Sequence, residues 1–103
     1  MVTISKPVAK ARLGNVPLEK RFWVVDGTYL SNLDELRAAL EGMADETYLV
    51  HCNGDKSDFS NWVGDVIGDE KLSAELKKCT TNREAAKLVA ARIKFLKTKA
   101  GAA

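Results

Sequence analysis

The sequence predicts a single α+β domain, with a short β-hairpin and a third strand packed with about four helices. Three observations carry that prediction. The β-rich run at residues 22–30 is interrupted by Asp26-Gly27, a pair favoured in tight hairpin connections. Apolar residues then recur at helical spacing in separate windows downstream of residue 32. The chain has 103 residues, 46% hydrophobic and 29% charged, which is the composition of one ordinary globular domain rather than a disordered segment. A chain of this size buries about 60–70% of the surface its unfolded form exposes, enough for one modest core.

Residues 1–20 mix Pro7, Gly14 and Pro17 with scattered apolar positions and hold no sustained period, so they are expected to form a basic, weakly ordered lead-in. The folded domain is expected over residues 21–98. Residues 22–25 and 28–30 read as the hairpin, with Asp26-Gly27 as a two-residue type I′ turn. Ser31 or Asn32 can cap the helix that follows, and Asp34 and Glu35 favour its positive N-terminal end. Leu33, Leu36, Leu40 and Met43 supply its apolar face, and Gly42 marks its end. Residues 47–52 are short and β-rich and read as the third strand, able to pair with the hairpin.

Residues 53–57 form a turn cluster. From Asp58, a natural cap, Phe59, Trp62, Val63, Val66 and Ile67 fall at i, i+3, i+4, i+7 and i+8, a near-complete helical face that Gly68 can close. Asp69 can cap a short helix that turns Leu72, Leu76 and Cys79 inward. Thr81-Asn-Arg-Glu84 is a capping box opening a last helix to about residue 98, with Ala85, Leu88, Val89, Ile93 and Leu96 as its buried stripe. Residues 99–103 are expected to fray. Phe59, Trp62, Val66, Leu36, Leu40, Leu88 and Val89 are the expected core.

Charge is unevenly distributed along the chain. Residues 1–22 carry five bases and one acid, residues 23–76 three bases and twelve acids, and residues 77–103 eight bases and one acid. Basic ends on an acidic body bear on partners rather than on fold. No apolar run approaches the length of a membrane span, and the N-terminus lacks the apolar stretch of a secretory signal. Two cysteines make no disulfide framework, so reduced thiols and a cytoplasmic location are expected, with no membrane partner.

The most distinctive stretch runs from His51 to Asp69. On a helix, Asp58, Asn61 and Asp65 fall at i, i+3 and i+7 and share one stripe beside Trp62. Strand alternation would send His51 and Asn53 to one side and Cys52 to the other. His51, Asn53, Asp58, Asn61 and Asp65 can therefore converge where strand end meets helix, as a ligand or partner site or as a structural set of caps and turn anchors. Asp65 could equally pair with a base of the last helix.

This stretch resembles an uncharacterised, largely archaeal family of small domains of unknown function. The resemblance rests on His51 and Asn53, then Lys56, Asp58, Phe59, Asn61 and Trp62, then residues 65–69. Upstream, Phe22, Asp26-Gly27, Asn32-Leu33 and Glu35-Leu36 also look like the family, so that residues 17–98 are covered. The chain departs from what it resembles at Cys52, where the family has an aliphatic residue, and at Ser57, where Asn is usual. The resemblance implies a prokaryotic cytoplasmic setting and no particular activity.

Catalytic readings gain no positive signal. On a strand, His51 and Cys52 would point apart, which disfavours a nucleophilic dyad, and Cys79 lies on an apolar stripe. One His and two separated Cys have no zinc spacing, and Asp55, Asp58, Asp65 and Asp69 do not follow a calcium-loop pattern. No catalytic residue, metal ligand set or cofactor is expected. The last helix instead gathers Arg83, Lys87, Lys94 and Lys97 within an arc of roughly 80° with no acid among them. The expected function is that of a small non-enzymatic protein-interaction or regulatory domain. The alternative is binding of DNA or RNA, without sequence preference, through this basic helix and the N-terminal segment.

Overall fold

A computed structural model describes residues 4–53 and 56–101. Its centre is the packing of helix α2 (Leu33–Gly42) on the long helix α6 (Asn82–Lys99). Leu33, Leu36 and Leu40 project from α2 and are fully buried, as are Val89 and Leu96 of α6. Both helices begin as their sequences require. Asn32 accepts the Glu35 amide at 2.8 Å while Glu35 accepts the Ser31 amide, and Thr81 accepts the Glu84 amide at 3.2 Å. The far end of α2 is closed by a buried side chain from α6: Asn82 Nδ2 donates to the carbonyls of Leu40 (2.7 Å) and Met43 (3.3 Å). The last carbonyls of a helix, Leu40 O among them, lack a partner within it, so Asn82 joins the two elements and caps one of them.

The hairpin is present, as strands β1 (Phe22–Trp23) and β2 (Tyr29–Leu30), antiparallel with Phe22 opposite Leu30 and Trp23 opposite Tyr29. Its turn differs from the expected one. Gly27 alone has positive φ (99°), the Gly27 amide bonds Val24 O and the Val24 amide bonds Thr28 O. This is a three-residue loop closed by a left-handed glycine, because a type I′ turn would also need positive φ at Asp26.

The expected third strand at residues 47–52 is instead helix α3 (Asp45–His51). Asp45 and Glu46 occupy its first turn, and Tyr48 and His51, three apart, face inward while Leu49 and Val50 remain exposed. Only Cys52–Asn53 is extended (β3), and it pairs with Lys56–Ser57 (β4) rather than with the first hairpin. Gly54 and Asp55 of the turn cluster lie outside the described residues. Two short antiparallel hairpins and six α-helices thus make up the described fold, an α+β architecture.

The lead-in is also more structured than expected. Helix α1 (Lys6–Leu13) starts from Ser5 with Pro7 in its first turn, packs on α6 and fully buries Ala9, so the N-terminal segment belongs to the core. A 3₁₀ turn, Leu18–Lys20, then leads into β1. At the other end α6 runs to Lys99 and Ala100 is buried, so the chain is packed there rather than frayed; residues 102 and 103 lie outside the described residues.

Helix α4 (Asp58–Trp62) is capped by Ser57, not Asp58, and passes directly into a π-helical turn, Val63–Ile67, which Gly68 ends at φ 85°. The wider turn shifts the apolar phase. Phe59, Trp62, Val63 and Ile67 are buried, whereas Val66 is only partly so; Leu88 of α6 is likewise half-buried. Asp69 caps α5 (Glu70–Leu76) as expected, accepting the Leu72 amide at 3.0 Å.

Candidate functional site

His51 ends α3 with its ring between Phe22 (5.2 Å between centroids) and Phe59 (5.3 Å). Phe22 in turn stacks on Phe59 at 4.9 Å, so the imidazole is one wall of an aromatic cluster. Both ring nitrogens are engaged. The Val25 amide donates to Nε2 at 3.0 Å, and Nδ1 lies 3.0 Å from Asp58 Oδ2. An amide can only donate, so Nε2 must present its lone pair, and the ring proton sits on Nδ1 and is donated to the carboxylate. Lys56 Nζ reaches the same carboxylate oxygen at 3.2 Å.

The expected cluster therefore forms only in part. His51 and Asp58 meet, with Lys56 added. Asn53 donates from Nδ2 to Leu49 O (3.4 Å) at the end of α3. Asn61, on α4, and Asp65, in the π turn, are exposed and take no part in the set. The arrangement has the form of an acid-oriented imidazole, but Nε2, the atom a general base would use, already holds a hairpin amide. Its evident effect is to fix the first hairpin to α3 and α4. Replacing His51 with alanine is expected to cost about 1–3 kcal/mol, by leaving the Val25 amide without its acceptor and the Asp58 carboxylate with Lys56 alone. Faster hydrogen exchange at the Val25 amide would locate the loss there, and unchanged exchange would refute the account.

The thiols offer no rival centre. Cys52 Sγ is 3.6 Å from Ser57 Oγ, and Cys79 Sγ donates weakly to Glu75 O. Burial, with Glu84 next in effect, pushes the Cys79 thiol above its ordinary value, and burial followed by Cys52 does the same to the Tyr48 hydroxyl. Neither is an activated nucleophile. Among the described residues no group of three or more His, Cys, Asp or Glu could hold a metal ion, and no helix is long and apolar enough to cross a membrane.

A second charged set escaped the sequence reading. Asp69 is fully buried, and its Oδ2 accepts Arg92 Nε at 2.7 Å with Arg12 Nη1 at 3.7 Å. The acid that α6 engages is thus Asp69, not Asp65, and the contact binds α1, the start of α5 and α6 together. The sequence signal was slight: Asp69 already accounted for itself as a cap.

The surface carries two further features. Trp23 and Tyr29 face each other across the first hairpin on its outer side, each 52% exposed, with the Arg21 guanidinium 4.6 Å above the Tyr29 ring. Arg83, Lys87, Lys94 and Lys97 are all exposed, as their phase on α6 implies. Comparison of the chain with protein-family models, with curated proteins and with solved structures returns no match.

Proposed function

We propose that this chain is a non-enzymatic protein-interaction module of a prokaryotic cytoplasm, docking through the outer face of its first hairpin. The observation that carries the reading is the exposed Trp23–Tyr29 pair with Arg21 stacked on it. Trp, Tyr and Arg are the residues that dominate protein–protein hot spots, because rigid rings bury large area at small entropic cost. Strand alternation explains how they come to be outside: Phe22, Val24 and Leu30 point into the core, leaving Trp23, Val25 and Tyr29 on the opposite side. Leu49 and Val50 add exposed apolar surface on the neighbouring α3. In this reading the His51–Asp58 pair holds the docking hairpin in place rather than touching the partner.

The test compares wild type with a Trp23→Ala/Tyr29→Ala variant as bait in the native cytoplasm, with and without nuclease. Wild type is expected to retain a nuclease-resistant partner that the variant loses. Both substitutions are at exposed positions, so stability should change by about 0.5 kcal/mol or less per site. A partner retained equally by both baits, or released by nuclease, would overturn the reading.

A further inference from the structure

We infer that α6 and α1 together form a track for the phosphate backbone of duplex nucleic acid, a surface separate from the hairpin. Arg83, Lys87, Lys94 and Lys97 share one exposed arc of α6 that spans about 21 Å along the axis. That length covers about six phosphates of one strand at 3.4 Å each. The structure adds what the sequence could not place. Helix α1 crosses the C-terminal end of α6, where Lys6, Lys10, Leu13 and Gly14 border a shallow depression with Ala100 and Gly101. A side chain at Gly101 would meet Lys6 Cε at 3.3 Å, so Lys6 lies directly over the helix end. Gly101 lies past the end of α6 (φ 79°), so it is through this packing on the helix end that Lys6 and Lys10 bring two further cations beyond Lys97. Among the described residues none of these six cations takes part in an ion pair.

The same features separate duplex from the other polyanions. A membrane-surface helix needs an apolar face beside its basic one, but the apolar face of α6 is buried against α2. Single strands are held by aromatic stacking, and the stripe contains no aromatic residue; Phe95 lies on the other flank of α6, beneath Arg92 and Lys99. A linear run of cations with no aromatic residue among them fits a phosphate backbone read for charge alone.

Anisotropy of a labelled duplex of arbitrary sequence, titrated with the full chain from about 50 mM salt upward, tests this. Six contacts predict a slope of log affinity on log salt of about −5.4, and the α6 contacts alone about −3.6. Lys87→Glu with Lys94→Glu is expected to weaken binding about two-hundredfold at 50 mM salt, from roughly fifteenfold per lost contact. Lys6→Gln with Lys10→Gln should flatten the slope by about 1.8. Thermal melts confirm that each variant is folded, and Trp23→Ala/Tyr29→Ala should leave duplex binding unchanged. No binding by wild type at 50 mM salt would overturn the proposal, as would tighter binding to single strands or to phosphatidylserine vesicles. A slope indifferent to Lys6 and Lys10 would overturn the extension onto α1.

Discussion

Asp69→Ala is expected to cost about 3–5 kcal/mol, a large part of the 5–15 kcal/mol that holds a domain together. The carboxylate has no exposure to solvent and serves three neighbours through its two oxygens. Oδ1 accepts the Leu72 amide and so starts α5; Oδ2 accepts Arg92 Nε at 2.7 Å and faces Arg12. Truncation therefore removes a cap and leaves the Arg92 guanidinium buried without its counter-charge. The second effect is the larger, since breaking a buried pair from one side strands a desolvated ion, whereas a lost cap typically costs about 1 kcal/mol. Asp69→Asn separates the two, because the amide oxygen can still cap α5 while the charge is gone. Urea unfolding should place Asn close to Ala if the ion pair dominates. An Asn variant as stable as wild type would show that Asp69 contributes only through its cap. Pairing Asp69→Leu with Arg92→Met should recover part of the loss, since apolar side chains of similar volume can replace a buried pair.

That ion pair also shows where sequence reading stops. The helices α2, α5 and α6 were legible because their apolar residues repeat at 3.6 over a buried stripe and their caps are local, within four residues of the helix start. Asp69 and Arg92 are 23 residues apart, and nothing in either neighbourhood marks them as partners. The same distance rule divides the polar cluster. His51 and Asp58 lie seven apart and their meeting could be anticipated, but the Val25 amide that fixes the tautomer is 26 residues upstream. Helix α3 is hidden for a different reason. Seven residues are too few to display a period, and the β-rich run Tyr48-Leu49-Val50 outweighed the acids at its start and the inward spacing of Tyr48 and His51. In α1 no apolar period is sustained, but Pro7, two residues after Ser5, occupies the first turn, where proline is well tolerated. The π turn after Trp62 has no signature in composition, and Val66 and Asp65, which a regular helix would place by its 3.6-residue period, both lie in it.

The two tryptophans should respond oppositely to truncation. Trp62 is 7% exposed, packs edge-on against Phe22 at 6.0 Å, and donates from Nε1 to Lys20 O at 2.8 Å. Trp62→Ala is expected to cost about 3–5 kcal/mol through the cavity left beside Phe22. The loss also frees the 3₁₀ turn whose carbonyl the indole holds, so the connection between α1 and β1 should loosen with it. Trp62→Phe keeps most of the apolar volume and loses the hydrogen bond, and should fall between Ala and wild type. Trp23→Ala, at 52% exposure, should shift stability by no more than about 0.5 kcal/mol. Because the chain has only these two tryptophans, fluorescence of each single-tryptophan variant reports its own site. Trp62 alone should emit at short wavelength and move red on unfolding, whereas Trp23 alone should emit near its solvent-exposed limit throughout. A thermally silent Trp62→Ala would place that ring outside the core and remove the anchor on which the phase of α4 depends. A blue-shifted, stability-bearing Trp23 would mean that the outer face of the hairpin is covered within the chain itself, and the proposed docking surface would go with it.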